Sequence, residues 1–213
     1  MKTSVALASY LLQSKAIIID PANPFTWASG WTSPVYCDNR KTLSYPEIRN
    51  FIRDAFIEKI KGAFGLTDMI AGVATGAIAP AALVADKLNL PMIYVRASQK
   101  SHGMANLIEG DVSVGRTVVV IEDLISTGGS SLKAAAALRE AGLQVLGMAA
   151  IFTYGFPESV NNFKTAGIKL VTLGNYHDLI EQAVQTGYIN PEFMKTLEDW
   201  RRDPAAWSPG THK

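Results

Sequence analysis

The chain is poor in the features that would mark it as a secreted, membrane-bound or nucleic-acid-binding protein. Its single cysteine, Cys37, cannot form an internal disulfide. Neither sign of charge is in surplus, since 20 Lys+Arg offset 19 Asp+Glu for a net +1. No global field therefore attracts a polynucleotide or an anionic membrane, and any polyanion site has to be local. No apolar run approaches the ~20 residues needed to span a bilayer, and the opening MKTSVALASYLLQSK has no long uninterrupted apolar stretch of the signal-peptide kind. A cytoplasmic, reducing setting is expected. Among the histidines, His177 and His212 have no partners at metal-ligand spacing and read as structural.

What the chain does have is core-forming material. In 213 residues, 48% are hydrophobic and 18% charged, enough for a full core in one domain spanning residues 1–213. Helical spacing of apolar residues over residues 5–12 is followed by a β-branched run at residues 17–19 that Asp20-Pro21 stops. Residues 21–39, rich in Pro, Gly, Ser and aromatics, read as a cap over a site, so residues up to about 45 form a small N-terminal hood. From Pro46, Ile48, Phe51, Ile52, Ala55, Phe56 and Ile60 give an amphipathic helix ending near Gly62. Strand and helix patterns then alternate: MIAGV before AIAPAALVADKL, PMIYV before a polar loop, TVVVIEDLI before SSLKAAAALREAG. Near-continuous apolar strands, at residues 118–121 and 145–152, belong to a parallel sheet covered on both faces. A further strand is expected at residues 168–173 and two helices at residues 177–185 and 191–202, completing a core of residues 46–205.

Chemistry concentrates in VVVIEDLISTGGSS, residues 118–131. A buried strand delivers Glu122 and Asp123 at its carboxyl end, where ligands of parallel sheets bind. Gly128 and Gly129 let backbone approach a ligand, and Ser126, Thr127, Ser130 and Ser131 add hydroxyls beside the amino end of the next helix, a cradle suited to phosphate. Two carboxylates would repel that phosphate unless they face ribose hydroxyls or a metal-bound water, so a sugar phosphate satisfies both halves. No Lys-Ser or Lys-Thr follows the glycines and no G-x-G-x-x-G is present, which disfavours ATPase and dehydrogenase readings.

EDLISTGGS resembles the phosphoribosyl pyrophosphate (PRPP) signature of type I phosphoribosyltransferases. That resemblance implies their α/β fold, a central, mainly parallel sheet flanked by helices, with PRPP on Glu122, Asp123, Leu124, Ile125, Ser126, Thr127, Gly128, Gly129 and Ser130. Arg96, Lys100 and His102, in the loop after PMIYV, match the catalytic loop of orotate phosphoribosyltransferases, and FTWASGWTSPVYCDNR, residues 25–40, is similar to that family's base-covering segment. The family resemblance implies transfer of ribose 5-phosphate from PRPP to orotate. Lys100, Arg96, His102 and Asp123 would be catalytic and Ser126 would lie on orotate. Mg2+ would be held mainly through PRPP without direct side-chain ligation, in a homodimer whose loops, from Ala97 to Gly110, close over shared active sites. No nucleic acid or membrane partner is implied.

Enterobacterial relatives carry lysines where this chain has Ala28, Gly76 and Ala97, and an orotate-contacting arginine near Gly155. The orotate carboxylate then needs another donor. Arg40, supported by Asn39, is one assignment, and a salt bridge of Arg40 with Asp38 or Glu47 is the other. A purine salvage phosphoribosyltransferase and a non-catalytic PRPP-sensing regulator are the alternatives. The second would require a basic face, against the near-zero net charge.

Overall fold

The computed structural model describes residues 2–97 and 107–209. Helix α1 (Thr3–Gln13) buries Leu7, Ala8, Leu11 and Leu12, two adjacent pairs one turn apart and so on one face. Strand β1 (Ile17–Ile19) pairs antiparallel with β4 (Val35–Cys37), and the hairpin of β2 (Phe25–Thr26) and β3 (Thr32–Ser33) lies between them in sequence. These short strands are the hood. A 3-10 turn at Asn39–Ser44 leads to α2 (Pro46–Phe64), which continues past Gly62 and ends at Gly65, φ 74°.

The core follows as β5 (Met69–Val73), α3 (Ile78–Leu88), β6 (Met92–Val95), β7 (Ile108–Glu109), β8 (Thr117–Ile125), α4 (Gly129–Glu140), β9 (Gln144–Thr153), α5 (Pro157–Ala166), β10 (Leu170–Asn175), α6 (Tyr176–Gln185) and α7 (Met194–Arg202). Six strands form one sheet in the order β10-β9-β8-β5-β6-β7, parallel except for β7, which runs antiparallel to β6. Val118, Val119, Val120 and Ile121 of β8 are wholly buried, which is why that strand is apolar at every position rather than at alternate ones. Gly147 inside β9 has a packing reason. A Cβ there would meet the Phe64 ring and the Lys169 carbonyl, so the glycine lets α2 and β10 approach the strand.

Three elements lie outside the sequence expectation: the β2–β3 hairpin, the edge strand β7 and α5. The last buries only Ser159 and Phe163, too few apolar positions to show a helical period, although Pro157 in its first turn and Gly167 at its end, φ 61°, mark its limits. The strand order reverses between β5 and β8, so the turns that follow those two strands face each other across the switch point of the sheet, where α/β folds bind ligands.

Candidate active site

The turn after β8 offers an anion mostly backbone. Amides of residues 126–131 donate to no described group, and α4 starts at Gly129 with no side-chain cap, so free N–H groups and the positive end of the helix dipole share one spot. Gly128 is dictated twice over: its φ is 83°, and a Cβ would press on the Phe163 ring of α5. Gly129 and Ser130 are exposed, whereas Ile125 is fully buried. The Ile125 side chain is part of the core, and its carbonyl accepts the Tyr154 amide at 3.2 Å.

The two acids have separate fates. Glu122 is buried, one oxygen accepting the Ser131 hydroxyl at 2.7 Å and the other the Asp123 amide at 3.0 Å. Burial first, and the neighbouring Asp123 next, push its carboxyl up to about 8. It lies behind the turn, both of its oxygens held by protein donors. Asp123 instead lies against the turn after β5: its carboxylate occupies the space beside Gly76 that a Cβ there would need. That contact gives a physical reason for glycine at a position where enterobacterial relatives carry lysine. The peptide between Ala74 and Thr75 in the same turn is cis. Asn39, also buried, donates from its side chain to the Asp123 carbonyl at 2.6 Å and so ties the hood to the end of β8.

Beside this turn is a cavity of about 230 Å³. The hood contributes Thr26, Trp27, Ala28, Tyr36 and Cys37, the end of β8 contributes Leu124 and Ser126, and Tyr154 closes it from the end of β9. Trp27 is held by its indole N–H to the Val35 carbonyl at 3.0 Å and packs on Tyr154 with ring centroids 5.1 Å apart. Burial pushes the Cys37 thiol up, with Asp123 and Asp38 adding to the effect, so it stays a neutral wall of the cavity. A slot with aromatic walls and a few hydroxyls, opening on an anion cradle, suits a flat heterocycle carried next to a phosphorylated sugar.

The structure thus brings Asp123, Ser126 and the glycine turn together and places Leu124 on the cavity side. It does not bring Arg40 in: the guanidinium pairs with Asp38, 2.7 Å and 3.1 Å, and does not line the cavity. Of the two readings of Arg40 the ion pair is the one seen. Arg96 pairs with Glu109 at 3.5 Å, joining the ends of the loop in which Lys100 and His102 lie outside the described residues. Gly155, φ 65°, has the Arg201 guanidinium packed over it, donating to the Tyr154 and Gly155 carbonyls at 3.0 Å each, so a side chain at 155 would be strained and would displace Arg201. Sequence reading set residues 25–40 over the base without singling out Trp27 or Cys37, and it missed Tyr154. The aromatic richness of residues 25–36 was a signal for the first; Tyr154 carried none. Among the described residues one cluster of metal-ligand types, His177, Asp178 and Glu181, occurs at the start of α6, away from these residues in sequence.

Comparison with known proteins agrees with this geometry. The family described as phosphoribosyl transferase domain matches residues 43–172. An orotate phosphoribosyltransferase of Phocaeicola vulgatus is 58% identical over 211 residues, covering 99% of this chain and 100% of the relative. One from Bacteroides thetaiotaomicron is 59% identical over 203 residues, covering 95% and 96%. The crystal structure of orotate phosphoribosyltransferase from Aeropyrum pernix superimposes with a TM-score of 0.75 at 28% identity, over 86% of this chain and 99% of that one.

Proposed function

Because the chain belongs to the phosphoribosyl transferase domain family, and within it to the orotate phosphoribosyltransferases, we propose that its cleft joins orotate to the ribose 5-phosphate of PRPP. The products are orotidine 5'-phosphate and pyrophosphate, a step in pyrimidine nucleotide synthesis. One observation carries the reading: a cavity of about 230 Å³ walled by Trp27 and Tyr154 opens beside Ser126 and the free amides of the β8–α4 turn.

In this assignment the amides of residues 126–131, with the hydroxyls of Thr127 and Ser130, hold the 5-phosphate, and Asp123 grips the ribose hydroxyls. Glu122 supports the turn from behind through Ser131 and the Asp123 amide. The anomeric carbon becomes cation-like as pyrophosphate departs, and the ring nitrogen of orotate, held in the cavity that Trp27 and Tyr154 wall, captures it from the opposite face. Arg96, Lys100 and His102 stabilise the leaving charge. The donor set fits a Mg2+ that arrives on the pyrophosphate: Asp123, a half-buried carboxylate beside the turn after β5, is the hard-oxygen group near it. When bound, the ion supplies positive charge to the departing pyrophosphate.

The assembly that belongs with this reading is a cytoplasmic homodimer in which Lys100 and His102 of one subunit complete the other's site; no described helix is long and apolar enough to cross a membrane. The test is orotate consumption, followed by ultraviolet absorbance with PRPP and Mg2+, for wild type and Lys100→Ala, with adenine and hypoxanthine as rival bases. Turnover of orotate alone, lost in Lys100→Ala, is the expected result. Turnover of a purine would move the protein to salvage, and PRPP binding without turnover would make it a regulator.

A further inference from the structure

Orotate is an anion, yet the described residues that line the base cavity include no lysine or arginine. Among the described residues its carboxylate would be met there by neutral donors, and the cavity lining includes a hydroxyl with no described partner. Tyr154 is 1% exposed, and its ring is fixed on several sides: stacked on Phe156 at 5.3 Å and 8°, edge-on to Trp200 at 5.5 Å and to Phe152 at 5.6 Å. Arg201 clamps the backbone at the same residue. A tyrosine this buried normally satisfies its O–H. Here the hydroxyl bonds to no described group and is not among the sealed polar atoms that lack a partner, and Tyr154 lines the cavity. Burial holds the phenol well above its ordinary range, which keeps it a proton donor at any working pH.

We propose that the Tyr154 hydroxyl is a specificity determinant of the base site, donating a hydrogen bond to the orotate carboxylate beside the Ser126 hydroxyl. The inference rests on the orotate reading above. Position supports it: the carboxylate sits on the ring carbon next to the nitrogen that takes the ribose, so it enters at the cradle end of the cavity, where Ser126 is. Tyr154 leaves β9 beside that point, its amide on the Ile125 carbonyl at 3.2 Å. A locked neutral donor in a site shielded from water forms a charge-assisted bond that solvent cannot replace.

The experiment is steady-state kinetics of wild type and Tyr154→Phe with orotate and PRPP, together with inhibition by uracil, which is orotate without the carboxylate. Phenylalanine keeps every ring contact and breaks no protein hydrogen bond, so the thermal midpoint should hold. The expected result is an orotate KM raised roughly tenfold or more, the loss of a bond to a charged group, with PRPP KM and uracil inhibition unchanged. If wild type consumes orotate and the variant's KM is unaltered, the inference fails while the function stands. If orotate and uracil weaken equally, the hydroxyl reads the ring and the carboxylate assignment fails. If wild type does not consume orotate at all, the functional reading falls and takes this inference with it.

Discussion

At one end of the cleft, the β8–α4 turn presents an anion with backbone amides from one stretch, residues 126–131. At the other, the base cavity is assembled from side chains of three separate segments, at residues 26–37, 124–126 and 154. In the proposed assignment charge is recognised by local geometry, through a helix terminus and glycines, whereas the base is recognised by long-range packing. The first arrangement tolerates little change in backbone and much in exposed side chains; the second is the reverse. Three of the four departures from enterobacterial relatives, all side-chain losses, have a place in this structure: Ala28 lines the cavity, Gly76 yields its space to Asp123, and Gly155 yields its space to Arg201, while the fourth, Ala97, is exposed at the start of the loop.

The comparison breaks most sharply at Asp123, the side chain on which the backbone-built end depends. Asp123→Ala is expected to lower kcat/KM by about a thousandfold with little change in thermal midpoint. A loss below about tenfold would mean that the amides alone hold the sugar phosphate. Mixing Asp123→Ala with Lys100→Ala subunits should restore part of the turnover that each lacks, through dimers with one intact site; no recovery would refute shared sites.

A smaller effect, about ten- to a hundredfold, is expected for Gly76→Ala, since its Cβ displaces the Asp123 carboxylate. In the Asp123→Ala background the same substitution should cost almost nothing, and equal costs in both backgrounds would show that Gly76 acts on the turn alone. At the cavity end, Trp27→Ala should raise the orotate KM about tenfold and leave the PRPP KM within about twofold. A parallel rise in both would show that the two ends are not separable.

Glu122 adds a stability test. Its folded carboxyl titrates near 8 while the unfolded chain titrates at the ordinary, lower carboxylate value, so the folded state binds the extra proton. Stability from this group is complete at acid pH and is lost as pH rises through about 8. Glu122→Gln keeps an acceptor for the Asp123 amide, turns its NH2 to donate to the Ser131 hydroxyl, and carries no charge. It should therefore stabilise the protein at pH 9 relative to wild type by on the order of a few kcal/mol, and hardly at all at pH 5. Denaturation midpoints at the two pH values would check this. The smallest effect belongs to Arg40→Ala, which removes an exposed pair with Asp38 and should change the orotate KM less than about twofold.

Most elements were legible because their signals are local. The β8 run is buried on both faces and therefore apolar at each position, Pro46 opens α2, and the Ser/Thr/Gly turn after Glu122 and Asp123 marks a phosphate site wherever it follows such a strand. Helix α5 was not legible, since only Ser159 and Phe163 face inward.

Sequence alone determined the parallel sheet, the place of the anion cradle at its carboxyl edge and the family, since each depends on residues adjacent in the chain. Only the tertiary structure decided which of two neighbouring acids is buried behind the turn and which lies half-exposed beside Gly76, why glycine stands at 76 and 155, and that Tyr154 closes the cavity. These follow from contacts between segments distant in the chain, where burial and shape, rather than residue type, set each group's charge and direction.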